Sequence, residues 1–172
     1  QPMLAPLKTG VNKVGIRASG STSDDYELTI TRQDLSAVEA SFLKLEFTDP
    51  ATQAVMPYRL YVPRNMSAGT KYPLVVFLHG GGERGNDNEK TLTANQGATV
   101  WATPEAQAKN PAFVLVPQAR AVWNGGFGVT RNPNNEIFLG NVFPIAPDTQ
   151  TAHQLLMKVL KDYPQIDTSR LY

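Results

Sequence analysis

The rhythm of hydrophobic positions changes several times along this chain, and each change marks an element. Residues 13–18 and 26–31 each alternate like a short strand. Between them Ser19-Gly20-Ser21-Thr22-Ser23-Asp24-Asp25 is rich in turn formers. Ala40 to Phe47 and Met56 to Val62 alternate again, and Asp49-Pro50-Ala51-Thr52 between them predicts a hairpin. Pro73-Leu74-Val75-Val76-Phe77-Leu78 and Phe113-Val114-Leu115-Val116 are instead apolar at each position, as strands covered on both faces are. Residues 90–109 between those two runs are mostly helix-compatible, interrupted by Gly97 and Pro104. Strand, helical crossover and strand predict a right-handed parallel unit. Residues 119–147 show no period, and a connection of that length is usually functional or mobile. Asp148 or Thr149 can then cap a helix in which Ala152, Leu155, Leu156, Val159, Leu160 and Tyr163 share one face. Pro164 ends it, and residues 166–172 lead toward a further strand. The pattern is that of an α/β domain over residues 39–172, preceded over residues 1–38 by a small β appendage or the end of another module.

Composition narrows the function classes. The 172 residues suffice for one domain of ordinary size, or one domain plus the appendage. Sixteen basic residues stand against fifteen acidic ones, a formal charge of +1 without long runs of either sign. Nucleic acid and anionic membrane therefore lose their electrostatic argument as partners. With no cysteine, a disulfide framework, thiolate metal sites and a cysteine nucleophile are excluded. The apolar run Leu74 to Leu78 is far shorter than the roughly 20 residues that cross a bilayer. The chain reads as soluble, and its Thr- and Asn-rich texture and Gln1 start suit a mature secreted or periplasmic protein.

Candidate chemistry concentrates in Leu78-His79-Gly80-Gly81-Gly82-Glu83-Arg84-Gly85, at the end of a buried parallel strand. Ligands in open α/β sheets bind beyond the carboxyl ends of strands. Three glycines allow close backbone approach and conformations closed to other residues, so their amides can point together at an oxyanion. A flexible turn and a phosphate-binding loop are the alternatives. The phosphate loop would need Gly-Lys-Ser/Thr after the glycines, where this chain has Glu83-Arg84-Gly85.

Three stretches carry a family resemblance: residues 58–63, Tyr-Arg-Leu-Tyr-Val-Pro; residues 71–85, ending in His79-Gly80-Gly81-Gly82-Glu83-Arg84-Gly85; and residues 114–118, Val-Leu-Val-Pro-Gln. Together they resemble the polyhydroxybutyrate-depolymerase and phospholipase/carboxylesterase-like serine esterases of the α/β-hydrolase superfamily. The likeness covers about residues 40–172, and residues 166–172 are similar to the segment that enters the nucleophile strand there. It implies an α/β-hydrolase fold with a mixed, mostly parallel sheet, acting on a small-molecule or polymeric ester. Gly80, Gly81 and Gly82 would supply one oxyanion donor, and the residue after the nucleophile serine the other. That serine is expected in a Gly-x-Ser-x-Gly turn a few residues past Tyr172, with the acid and histidine later still. No cofactor is implied.

The residues at hand offer no triad of their own. No serine has a Gly-x-Ser-x-Gly setting, and Ser21, the nearest in appearance, belongs to a polar turn. His79 is expected to brace the loop by hydrogen bonds, with Glu83 and Arg84 pairing in its support, and His153 to have a structural or surface role. Glu83, Asp87 and Glu89 lie close in sequence but match no His-Glu-x-x-His or EF-hand spacing, so no metal is expected. Gln118 and Trp123, at and beyond the end of the second apolar strand, are expected to line the substrate pocket, with plain packing as the alternative.

On this reading residues 39–172 are the N-terminal half of a catalytic domain. They provide the oxyanion loop and are inactive alone, and their partner is the C-terminal remainder, either a second polypeptide or the continuation of a longer molecule. The strand Leu74 to Leu78 would then become an exposed apolar sheet edge. The alternative is a non-catalytic binding module using residues 19–32 and 119–147 as surface.

Overall fold

Alternating and unbroken apolar runs sort into two separate sheets in the computed structural model, which describes residues 8–16, 20, 22, 26–32, 34–122, 125–128, 132–134, 136 and 145–172. The chain divides into two compact units, residues 1–37 and 38–172. In the first, strands β1 (Gly10–Ile16) and β2 (Tyr26–Arg32) pair antiparallel, with Val14 opposite Leu28. Ser21, with most of the turn between the two strands, lies outside the described residues.

The second unit holds a five-stranded mixed sheet ordered β3-β4-β6-β5-β7. Its strands are β3 (Leu43–Thr48), β4 (Val55–Tyr61), β5 (Tyr72–Val76), β6 (Phe113–Pro117) and β7 (Ile166–Leu171). β3, β4 and β6 run antiparallel in turn, whereas β6, β5 and β7 are parallel. β3 starts three residues later than alternation suggested. Residues 40–42 instead close a one-turn helix, α1 (Ser36–Glu39), through bonds from the Ser41 and Phe42 amides back to Val38 and Glu39. In the β3–β4 turn, Asp49 Oδ1 accepts from the Ala51 amide, and Oδ2 accepts from the Thr151 hydroxyl across the unit.

Every side chain of β6 is buried, as its apolar run demanded of a strand with both faces covered. β5 is shorter than its apolar run, since the ladder ends at Val76 and Leu78 is 48% exposed. Phe77 serves the crossover: a Cβ on Gly97 would stand 2.4 Å from its ring, so any other residue there would force the ring to move. The crossover is correspondingly broken into α2 (Lys90–Thr93), a 3-10 turn (Thr99–Ala102) and α3 (Pro104–Lys109), the last capped by Thr103.

One correction concerns the sheet edge. Residues 166–171 themselves form β7 beside β5, with Tyr72 opposite Ile166 and Leu74 opposite Leu171. The strand at Leu74 is therefore interior to the sheet, its amides and carbonyls paired on both sides.

Helix α4 (Pro147–Asp162) lays its apolar face on the sheet, with Leu155 and Val159 buried against Leu60, Leu74 and Phe113. Tyr163 meets the Phe113 ring edge-on at 5.5 Å. Neither Asp148 nor Thr149 caps the helix. Ala146 holds the N-cap position, and both side chains turn back to the preceding loop. Among the described residues no helix is long and apolar enough to cross a membrane. Truncating fully buried Leu155 to alanine is expected to cost about 2–5 kcal/mol, read as a lower urea midpoint with unchanged slope.

Candidate active site

Beyond Val76 the chain leaves the sheet and reaches His79, which is 7% exposed. Its Nε2 accepts a hydrogen bond from the Ala119 amide at 2.9 Å. An accepting Nε2 leaves the proton on Nδ1, which lies 2.6 Å from the Gly80 carbonyl and donates to it; the tautomer follows from this bonding pattern. The imidazole thus ties the end of β5 to the segment leaving β6. Phe127 meets it edge-on, ring centres 5.1 Å apart.

Gly80 is extended (φ −81°, ψ −174°), and Gly81–Glu83 form a single 3-10 turn. None of the three glycines has a positive φ, so the expectation that they adopt angles closed to other residues is corrected. What their lack of a side chain preserves is space: a Cβ on Gly81 or Gly82 would meet nothing within 4 Å. The first amides of a helical turn have no acceptor within it. Among the described residues no other group accepts from the Gly80, Gly81 or Gly82 amides. Two of the carbonyls, however, are held. His79 binds that of Gly80, and Arg84 Nε donates to that of Gly81 at 3.2 Å. In a planar trans peptide the next N–H points away from the carbonyl. Holding these oxygens therefore sets the directions of the Gly81 and Gly82 amides.

No family model and no curated protein matches the chain. Among solved structures it is similar to the crystal structure of a thermostable esterase, at 35% identity and a TM-score of 0.68, over 87% of this chain and 38% of that one. The fold is that of an esterase-like α/β-hydrolase. A mutant of an alpha/beta hydrolase enzyme from the metagenome of Lake Arreo, Spain, is also similar, at 18% identity and a TM-score of 0.41, over 77% of this chain and 33% of that one. The chain spans 38% of the length of the esterase.

In this α/β-hydrolase sheet the glycine loop lies at the carboxyl end of β5, beside that of its parallel neighbour β6, where ligands bind in open sheets. Gln118, expected to line the pocket, has no exposed surface. Its Oε1 accepts from the Asn88 amide at 2.7 Å, and its Nε2 donates to the Glu83 carbonyl at 3.0 Å and to Asp87 Oδ1 at 3.2 Å. It is an internal bracket for the loop, because a buried amide must satisfy its polar atoms within the protein. Trp123 lies outside the described residues. Glu83 and Arg84 do not pair. Glu83 Oε1 accepts from Asn95 at 2.7 Å, and Arg84 binds the carbonyls of Gly81, Val122 and Gly125.

The acidic residues near the loop likewise separate to different partners, with Glu89 pairing with Lys44 at 2.9 Å. Asp87 Oδ1 accepts from the amides of Glu89 at 2.7 Å and Lys90 at 2.9 Å, closing the entry to α2. Asn88 sits in the left-handed region (φ 54°), which asparagine tolerates, and its Nδ2 reaches the Leu45 and Tyr58 carbonyls. Asn88 thereby joins the loop to β3 and β4, a role that pattern reasoning did not assign it. Asn followed by a helix start was the available signal. Asp148, read as a helix cap, binds the segment after β6 instead, and no local spacing could have disclosed that.

Partial burial pushes the Asp87 carboxyl up, but bonds from the Lys90 and Glu89 amides and from the Gln118 side chain outweigh it, leaving it at about 2. Because this lies below the ordinary 3.8, its contribution to stability is present above about pH 4 and lost as pH falls through about 2. Asp87→Asn should thus lower stability at neutral pH. In denaturation series across pH the gap from wild type should shrink between pH 4 and 2.

Proposed function

We propose that the chain is the oxyanion-binding portion of a serine carboxylic ester hydrolase, with Gly81 and Gly82 turning their amides toward the reacting carbonyl oxygen. The carrying observation is a pair of amides from which no described group accepts, at positions where a Cβ would meet nothing within 4 Å, at the carboxyl end of an interior parallel strand and with their peptide planes held by His79 and Arg84. A serine oxygen attacks the ester carbon while a base takes its proton, and the carbonyl oxygen becomes an anion that the amides stabilise. Collapse expels the alcohol, which takes the proton from the base. Water then attacks the acyl-enzyme by the same route, releasing the acid and restoring the serine.

We place the nucleophile, base and acid in residues outside this chain. Both ring nitrogens of His79 are engaged with backbone groups, and His153 is exposed on α4. Among the described residues, the hydroxyls of Ser41 and Ser169 bond to Val38 and Asp167, and no serine has a histidine partner. The substrate class is a small-molecule or polymeric ester, and the similar thermostable esterase supports that chemistry.

Gly81 permits a sharp test. As the first residue of its turn it can accept proline, whose missing N–H is unbonded there in any case, and the extended Gly80 before it suits a residue preceding proline. In the full-length protein Gly81→Pro should lower kcat on p-nitrophenyl esters by about 10²–10³ with little change in KM. Gly81→Ala, which keeps the amide, should lose less than about tenfold. Equal losses in both folded variants would refute the donor role, and a folded wild-type protein with no esterase activity and no phosphonate labelling would favour a binding module.

A further inference from the structure

Asp148, second residue of α4, is 1% exposed. Its Oδ2 accepts from the amides of Arg120 at 2.9 Å and Gly126 at 3.0 Å, and its Oδ1 from Arg120 Nε at 2.6 Å. A carboxylate shielded from water and carrying three donors is a strong local constraint, because charge-assisted bonds are about twice as strong as neutral ones. Beside it the described residues on either side of positions 123–124 meet, with the Gly125 amide bonded to the Val122 carbonyl at 2.9 Å. Closure is so tight that a Cβ on Gly125 would stand 2.1 Å from the Arg120 carbonyl oxygen.

The closed segment turns two carbonyls, those of Val122 and Gly125, toward Arg84, whose Nη1 donates to both at 3.3 Å. The guanidinium is a rigid plane, so fixing Nη1 also fixes where Nε points. Nε points at the Gly81 carbonyl, 3.2 Å away. A continuous path of hydrogen bonds thus runs from the carboxylate of Asp148 through the backbone and Arg84 to the peptide that carries the Gly82 amide.

We infer that Asp148 is a positioning residue for the Gly82 amide. It touches no reacting atom. By folding the segment after β6 around its carboxylate, it presents the carbonyls that aim Arg84 at Gly81 and so keep the Gly81–Gly82 peptide from turning over. Without it Arg84 would swing toward water and that peptide could flip, withdrawing one donor from the oxyanion. The catalytic consequence rests on the esterase reading above. The structural coupling does not.

The experiment uses the full-length protein, labelled with 15N-glycine, with the Gly82 resonance assigned by substitution. Asp148→Ala should shift the Gly82 amide resonance while leaving that of remote Gly69 in place. It should also lower kcat on p-nitrophenyl esters about 10- to 100-fold with less than about threefold change in KM. Asp148→Asn should recover most of both, since one side-chain oxygen still accepts from the Arg120 and Gly126 amides. Should Asp148→Ala fail to fold, Arg84→Met carries the test, because it cuts the last link alone and must move the same resonance. A Gly82 resonance unmoved in folded Asp148→Ala, or in Arg84→Met, overturns the inference. If the wild-type protein hydrolyses no ester, the esterase reading fails on its own while the resonance shifts still decide the coupling.

Discussion

The bridge made by His79 is the constraint on which the arrangement of the glycine loop depends. Two parallel strands leave the sheet side by side, and nothing in a β-ladder dictates where their chains go next. One imidazole, accepting from the Ala119 amide and donating to the Gly80 carbonyl, joins those exits in a single tautomer. With donor and acceptor on opposite sides of one rigid ring, the distance between the exits and the orientation of the Gly80 carbonyl are set together. A side chain offering only one of these functions could not do both.

Behind that bridge the glycine loop is held from below and from one side. Gln118 grips the Glu83 carbonyl and the Asn88 amide from inside the protein, and Asn88 in turn reaches β3 and β4. From the side, Arg84 connects the loop to the segment organised by Asp148. The acceptors in these contacts are mostly backbone carbonyls, so side-chain donors fix peptide planes, and among the described residues no group accepts from the Gly81 and Gly82 amides behind two of them. Preorganised donors of this kind need no rearrangement when charge develops, which is why they are effective in stabilising an oxyanion.

How much of this could be read from the residues differs by element. The unbroken runs at Leu74 and Phe113 announced two covered parallel strands, because burial on both faces erases alternation. The spacing from Ala152 to Tyr163 announced α4 for the converse reason, one face being buried and the other wet. Gly97 was legible as an interruption of the crossover but not as the site where Phe77 must fit, since that contact joins two elements. Asp148 looked like a cap because caps are local, while its true partners, Arg120 and Gly126, are brought to it only by the tertiary fold. Gln118 misled in the same way, its place at a strand end suggesting a pocket wall where three loop partners bury it. The glycine triplet stood out for its conformational freedom, yet its backbone angles are ordinary, and what sets Gly81 and Gly82 apart is the open space where a side chain would stand.

The most direct measurement is a crystal structure of the full-length protein after reaction with an alkyl phosphonate, whose phosphoryl oxygen stands in for the oxyanion. The account predicts that oxygen about 2.7–3.1 Å from the amide nitrogens of Gly81 and Gly82, with the His79 and Arg84 bonds to the Gly80 and Gly81 carbonyls retained. A phosphonate whose oxygen faces away from the loop, with those amides bonded to other protein groups, would contradict it.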